Sequence, residues 1–275
     1  MISDEEVRAF MLAMRKRYDL DFTNYEPKSL GRGMTRLMAK HDMNGMMDLW
    51  SRILKDDNFF LDSIDDLMVN LTELFRNPES WIRIKNEILP EFQKNDTLRI
   101  WHAGCSTGEE IITMAIVLED AGMFHKVEAM ATDLSSSALN TAKRGTYSLN
   151  SMKNYEKTFK RYNPMKKISD YFTVGETSGT VKPYYLSKTK FERSNLVDLP
   201  DYGTFDLIFC RNVLIYFDGK LKAQILEHLE SRLNEGGYLI LGYYDTMPNQ
   251  SIDIFDVYDN SVRIYKKKVN QMVEL

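Results

Sequence analysis

Between Arg99 and Glu110 the chain reads Arg-Ile-Trp-His-Ala-Gly-Cys-Ser-Thr-Gly-Glu-Glu, an apolar strand that breaks into small residues and opens straight into a helix. Ile100, Trp101 and Ala103 supply the strand. Gly104, Ser106, Thr107 and Gly108 then leave no bulky side chain, and Ile111, Ile112, Met114, Ala115 and Leu118 mark the apolar face of the helix that follows. A turn of this kind exposes bare backbone at Gly104 and the unpaired N–H donors of a helix start, so a ligand is expected there. Glu109 and Glu110 in the first helical turn suit the helix dipole but repel phosphate. The expected ligand is therefore cationic or neutral, and rich in hydroxyls.

From Leu98 onward, strand patterns at 98–104, 126–132, 205–211 and 237–243 alternate with helical ones at 108–121, 135–144 and 219–233. The alternation predicts an α/β fold with a parallel sheet covered on both faces. Residues 168–195 interrupt it with short strand-like pieces, Tyr171–Val174 and Pro183–Leu186, around the turn-rich Gly175–Gly179, and read as a small antiparallel insertion. Ile254–Tyr258 and Ser261–Tyr265, joined by Asp259-Asn260, read as an antiparallel hairpin that gives the sheet a reversed last strand. Residues 1 to about 90 read as helices only. They begin at Ser3, with Glu6 three residues on in a capping-box arrangement, and continue at about 27–40, 43–56 and 78–88. The expected organisation is an all-α N-terminal docking domain with linker over 1–90 and a ligand-binding α/β domain over 91–275.

A net charge of -4 gives no general attraction to nucleic acid. Cys105 and Cys210 lack metal-ligand spacing and do not suggest a secreted disulfide framework. The N-terminus Met-Ile-Ser-Asp-Glu-Glu is acidic where a signal peptide is basic, and no apolar run approaches the roughly 20 residues that cross a bilayer. A cytoplasmic protein is expected, with no metal, no nucleic-acid partner and no membrane insertion.

The second strand ends in Thr132-Asp133, which sets a carboxylate beside the Gly104 loop, where ribose hydroxyls are its natural partners. An NAD-binding sheet would carry the same acid, but the loop lacks G-x-G-x-x-G. S-adenosylmethionine, a nucleoside with a sulfonium and an ammonium, fits both features, with Glu110 a partner for its positive methionyl end. The strand over 205–210 ends in Arg211-Asn212, where an open sheet presents its ligands, and Val213–Phe217 continues across the cleft. His41, His102, His125 and His228 share no ligand spacing and read as structural, and the two cysteines as packing residues.

Five segments, in order along about 70–245, resemble the chemotaxis receptor glutamate O-methyltransferase family, CheR-like: Asn70-Leu-Thr-Glu-Leu-Phe-Arg76, Ala103–Glu110, Thr132-Asp133 with Ala142–Tyr147, Asn195-Leu196, and Cys210–Asp218. The resemblance implies a Rossmann-like class I methyltransferase sheet, and methyl transfer from S-adenosylmethionine to glutamates on the cytoplasmic helices of methyl-accepting receptors. The products would be glutamyl methyl esters and S-adenosylhomocysteine. By resemblance Asn70, Thr72, Glu110, Asp133, Asn195, Leu196, Arg211 and Asn212 hold the cofactor, with Arg76 close to both ligands; a monomer is expected. A glutamate carboxylate, with a pKa near 4.3, is already a nucleophile at neutral pH and needs no general base. Arg76 and Tyr216 are the candidates for orienting it, by a charged fork and a phenolic donor. Where the family usually continues Pro-Tyr this chain has Ile111-Ile112, and where Gly-His-Ser-Glu often follows the fifth strand it has Gly242-Tyr-Tyr-Asp245. The insertion lacks the Gly-Gly turn of members that dock on a receptor's C-terminal pentapeptide, so such tethering is not expected.

Lys28, Arg32, Arg36 and Lys40 recur every four residues, which on a helix makes a basic stripe drifting by about 40° per step. Leu30, Met34, Leu37 and Met38 fill another face. An acidic receptor helix could lie along the stripe; a merely solvated face is the alternative. Two other readings are a methyltransferase of another carboxylate or base, and a non-catalytic S-adenosylmethionine-binding signalling module. Base N-methylation calls for an Asn/Asp-Pro-Pro-aromatic turn, and Asn212–Tyr216 has no proline.

Overall fold

The computed structural model describes residues 2–18, 22–56, 58–59, 63, 67, 72–197 and 200–268. Helix α1 (Asp4–Tyr18) starts at the expected box: Glu6 Oε2 accepts the Ser3 N–H at 2.8 Å and the Glu6 N–H donates to Ser3 Oγ at 3.2 Å. Helix α2 (Pro27–Lys40) is capped by Glu26, with Pro27 in the first turn, where its missing N–H costs nothing. It buries Leu30, Gly33, Met34 and Leu37 and leaves Lys28, Arg32, Arg36 and Lys40 exposed. Helix α3 (Met46–Lys55) follows. The helix expected over 78–88 is a composite. Regular α4 (Pro78–Arg83) widens into a π turn at Ile84–Ile88 and tightens into a 3-10 turn at Leu89–Phe92, because Pro90 has no N–H to give and its ring crowds the preceding turn.

Seven strands form the main sheet: β1 (Leu98–Ala103), β2 (Val127–Asp133), β6 (Thr189–Arg193), β7 (Phe205–Cys210), β8 (Leu233–Leu241), β9 (Phe255–Asp259) and β10 (Ile264–Lys267). Their order is β6-β2-β1-β7-β8-β10-β9. The pairings β1–β2, β1–β7, β2–β6 and β7–β8 are parallel, whereas β10 runs antiparallel to both β8 and β9. The reversed last strand is thus present, inserted between β8 and β9 rather than lying at the edge.

Successive strand residues point to opposite faces and so feed two cores. Leu98, Ile100, Leu207, Phe209, Tyr238 and Ile240 share one core with Trp81 of α4, Ile116 of α5 (Glu109–Asp120) and Phe159 of α7 (Leu149–Tyr162). Trp101, Ala103, Ile208, Cys210, Leu239 and Leu241 join Leu226 of α8 (Gly219–Ser231) and Phe10, Met34 and Ile53 of the N-terminal helices in the other. Helix α6 (Ser136–Arg144) covers β2 and β6 at one end of the sheet. Both faces of β7 are closed, which is why all six of its residues are buried.

The small antiparallel sheet, ordered β3-β5-β4, consists of β3 (Thr146–Ser148), β4 (Phe172–Val174) and β5 (Ser178–Val181). It begins before the expected 168–195 and ends sooner. Residues 189–193 belong to the main sheet, as edge strand β6. Pro183–Leu186, expected as a strand, is a 3-10 turn started by its proline.

Candidate active site

At the C-terminal edge of the parallel strands lies a cleft walled by the loops that follow β1, β2, β6 and β7, the place where an open α/β sheet binds small molecules. β1 delivers the Gly104 loop into it. Gly104 has φ +83°, and a Cβ there would lie 2.5 Å from Val213 Cγ2, so only glycine keeps this wall flat. The loop amides that the sequence left for a ligand are used inside the protein. Gly104 N–H and Cys105 N–H both donate to the Thr132 carbonyl at 2.9 Å, and Gly108 N–H to the Cys105 carbonyl at 3.1 Å. Ser106 N–H donates to Asp133 Oδ2 at 2.7 Å, while Ser135 N–H donates to Asp133 Oδ1 at 2.9 Å. The loop thus aims the Asp133 carboxylate rather than gripping a ligand itself.

Glu110, the second residue of α5, accepts from His102 Nδ1 at 2.9 Å and from Arg211 Nη1 at 3.4 Å. Burial would raise its pKa, but the His102 hydrogen bond and the attraction of His102 and Arg211 outweigh burial and hold the carboxyl below its usual range. His102 is buried in β1 and stacked on Phe209, ring centroids 4.9 Å apart. Arg211, at the end of β7, reaches across to the segment before α4. Its Nη2 donates to the Arg76 carbonyl at 2.9 Å and to Asn77 Oδ1 at 3.1 Å, and its guanidinium lies 5.1 Å from the Trp81 ring centroid. Burial pulls the Arg211 pKa down; Glu110 opposes the shift and Arg76 adds to it. The 72–77 segment is held from the other side by the Phe75 N–H on Thr113 Oγ1 at 3.0 Å and by Trp81 Nε1 on the Arg76 carbonyl at 3.0 Å.

The third wall is the loop after β7. Asn212 sits in the left-handed region at φ 61°, where a non-glycine residue is strained. Asp245, wholly buried, holds it there. Its Oδ2 accepts the Asn212 N–H and, at 2.8 Å, the Gly242 N–H; its Oδ1 accepts the Ile215 N–H at 3.2 Å. Burial pushes the Asp245 pKa up against those three amides and Arg211. Leu214–Tyr216 form a 3-10 turn, after which Tyr25 and Phe217 make an antiparallel bridge, the Glu26 N–H donates to the Tyr216 carbonyl at 2.8 Å, and the Asp218 N–H to the Asn24 carbonyl at 2.8 Å. The chain leading into α2 is thereby clipped to the rim beside Tyr216. Among the described residues six non-glycine positions have positive φ, and Phe75, Asn77, Ser106 and Asn212 of them line or adjoin this cleft, as strain gathered at a functional site does.

Thr72, Arg76, Gly104, Glu110, Asp133, Asn195, Leu196, Arg211, Asn212 and Tyr216, all singled out in the sequence, line this one cleft. Asn70 lies outside the described residues. The roles of Tyr25, Asn77 and Asp245 were not foreseen, because each acts across a long sequence separation; nor was that of His102, which acts on Glu110 eight residues further on. Glu109 is more than a dipole partner. It is buried and accepts from Thr107 Oγ1 and Tyr155 Oη, each at 2.7 Å, which fastens α5 to α7. The Cys105 thiol is pushed well up by burial, then by Asp133 and Glu110, and stays neutral.

Ser106 Oγ, Arg211 Nε and Asn212 Nδ2 are buried side-chain atoms on cleft-lining residues with no hydrogen-bond partner. An unpaired buried polar group costs about 1–3 kcal/mol, so the cleft suits a polar occupant. With the fixed Asp133 and Glu110 carboxylates, these groups fit the hydroxyls, ring nitrogens, ammonium and carboxylate of S-adenosylmethionine.

Residues 70–264 match the family described as CheR methyltransferase, SAM binding domain. The chain is 29% identical to "Putative methyltransferase Cher3" of Pseudomonas putida, over 96% of this chain and 97% of that one. It is 32% identical to "Chemotaxis protein methyltransferase 1" of Pseudomonas aeruginosa, over 78% and 81% of the two chains. With "Chemotaxis protein methyltransferase" of Borreliella burgdorferi it shares 36% identity over 68% of each.

Proposed function

The chain belongs to the CheR methyltransferase family, and from that premise we propose that it esterifies glutamate side chains on the cytoplasmic helices of chemotaxis receptors, as a protein-glutamate O-methyltransferase. The observation that carries the reading is the cleft itself, which pairs two fixed carboxylates, Asp133 and Glu110, with Arg76, Arg211 and the phenol of Tyr216. S-adenosylmethionine, when bound, supplies an electrophilic methyl group on sulfur. Asp133 is assigned to the ribose hydroxyls. Glu110, kept ionised by His102 and Arg211, is assigned to the ammonium end. Thr72, Asn195, Leu196, Arg211, Asn212 and the bare backbone of Gly104 complete the cofactor's walls, and Asn70 is proposed with them.

Among the described residues the lining contains no histidine and no lysine. A methyl acceptor that had to lose a proton would want a base near neutral pKa, whereas a glutamate is ionised already. What the chain must provide is alignment of the attacking oxygen with the methyl at about 3 Å, and exclusion of water, because opposite charges cancel as the bond forms. Arg76, just before α4, and Tyr216, in the loop after β7, both line the cleft and are assigned that orienting work. The exposed stripe Lys28, Arg32, Arg36 and Lys40 starts next to Tyr216, because α2 is clipped there, and is assigned to an acidic receptor helix. Incubation with methyl-labelled cofactor and receptor-bearing membranes tests the reading: the label should appear on the receptor.

A further inference from the structure

Beside Tyr216 the rim carries an apolar surface that nothing so far described uses. Ile215, Tyr243 and Tyr244 leave 36%, 57% and 69% of their surfaces in solvent. They lie on two different loops, after β7 and after β8, which the buried Asp245 carboxylate ties together through the Ile215, Asn212 and Gly242 amides. Approach of the loops is so close that a Cβ on Gly242 would lie 2.5 Å from the Asn212 backbone nitrogen. The Tyr243 and Tyr244 rings meet edge to face, centroids 5.2 Å apart, so each limits the other's rotamers and little side-chain entropy remains to be lost on contact. Exposed aromatic pairs held on a rigid base beside a cleft are the usual anchors of recognition.

We propose that Ile215, Tyr243 and Tyr244 form the substrate's apolar subsite, taking an apolar side chain one helical turn from the glutamate that is methylated. The proposal rests on the receptor reading above and deepens it. Its occupant follows from charge complementarity across the rim. The basic stripe begins at Lys28, two residues after the Glu26 amide that donates to the Tyr216 carbonyl, and runs to Lys40 over about 18 Å at 1.5 Å per residue. A partner that meets an elongated cationic stripe, drifting by about 40° per step, and also reaches the cleft is an acidic helix. On such a helix the residue three or four positions from the modified glutamate shares its face, with Cβ atoms about 5–6 Å apart, and an apolar residue there meets the tyrosine pair while the glutamate meets Tyr216. Asp245 sets the geometry of this subsite by fixing the two loops at one spacing.

The test is steady-state methylation of receptor in membranes by the whole protein and by the double variant Tyr243→Ser/Tyr244→Ser. Both side chains are exposed, so folding is not at stake, and Tyr243→Phe/Tyr244→Phe serves as the conservative control. The serine variant should raise the receptor KM about tenfold, leave kcat and S-adenosylhomocysteine affinity unchanged, and be rescued by the phenylalanine variant. Changing the receptor's apolar residue three or four positions from the glutamate to serine should raise the KM of the parent protein but add nothing to that of the serine variant. An unchanged KM in the serine variant overturns the subsite, as does a tyrosine-dependent dimer that blocks methylation. A parent protein that binds S-adenosylhomocysteine yet methylates no receptor overturns the functional reading, and the subsite with it.

Discussion

Replacing Asp133 with alanine isolates one contact on which the cofactor assignment depends. Its carboxylate accepts the Ser106 amide at 2.7 Å and the Ser135 amide at 2.9 Å, and the residue lines the cleft. Two effects follow, and they are separable. For the ligand, losing a charged acceptor of ribose hydroxyls costs about 1.5–3 kcal/mol, or about 10- to 150-fold in Kd. For the fold, two partly exposed amides lose a partner that water can in part replace, about 1 kcal/mol each. That total of about 2 kcal/mol lowers Tm by roughly 4–8 °C in a chain of this size. Asp133→Asn keeps one acceptor but turns an NH2 group against the other amide, and falls between. Calorimetric titration with S-adenosylhomocysteine, beside a thermal melt, reads both. An alanine variant that binds S-adenosylhomocysteine within about threefold of the parent would refute the ribose assignment, whatever its Tm.

Arg76→Ala and Tyr216→Phe should lower kcat by at least about tenfold while changing S-adenosylhomocysteine affinity far less, since both are assigned to the substrate carboxylate; equal losses in the two measurements would move them to the cofactor. Reversing Arg32 and Arg36 to Glu should raise the receptor KM and flatten its salt dependence, with cofactor affinity untouched; parent-like methylation at low salt would leave the stripe a solvated face. Burial raises the Glu109 pKa against the hydrogen bonds from Thr107 and Tyr155. The folded state therefore binds this proton more tightly than the unfolded one, and Glu109's contribution improves as pH falls from neutral through its raised folded pKa. Glu109→Gln should remove that slope from denaturant midpoints measured between about pH 7 and 4.5, and identical slopes would contradict it.

What the sequence revealed was local. The Gly104 loop, the Ser3–Glu6 box and the Asp133 strand end are each written within a few residues, and each formed as expected. Helix α7 also left a signal, because its buried Met152, Tyr155, Phe159 and Tyr162 recur every three or four residues, but a turn-rich stretch beside it drew the insertion boundary too late. Asp245 and His102 could not be read that way. The chain shows Asp245 only as the end of a Tyr-Tyr-Asp run, and its work depends on an amide 33 residues away. His102 reads as one more strand residue until β1 and α5 bring it onto Glu110. Tyr25 reaches the cleft only through its bridge to Phe217. The loop amides failed in the opposite sense: the sequence marked them as ligand donors, and the fold spends them on Thr132 and Asp133.

The chemistry of the transferred methyl group tests the central claim most directly. Purified protein is incubated with methyl-labelled S-adenosylmethionine and membranes carrying chemotaxis receptors, and the labelled receptor is then exposed to mild base. Esterification of glutamate predicts that the label leaves as methanol, and that Arg76→Ala and Tyr216→Phe place little of it there. Label that stays on the receptor through mild base, as an N-methyl group would, contradicts the account.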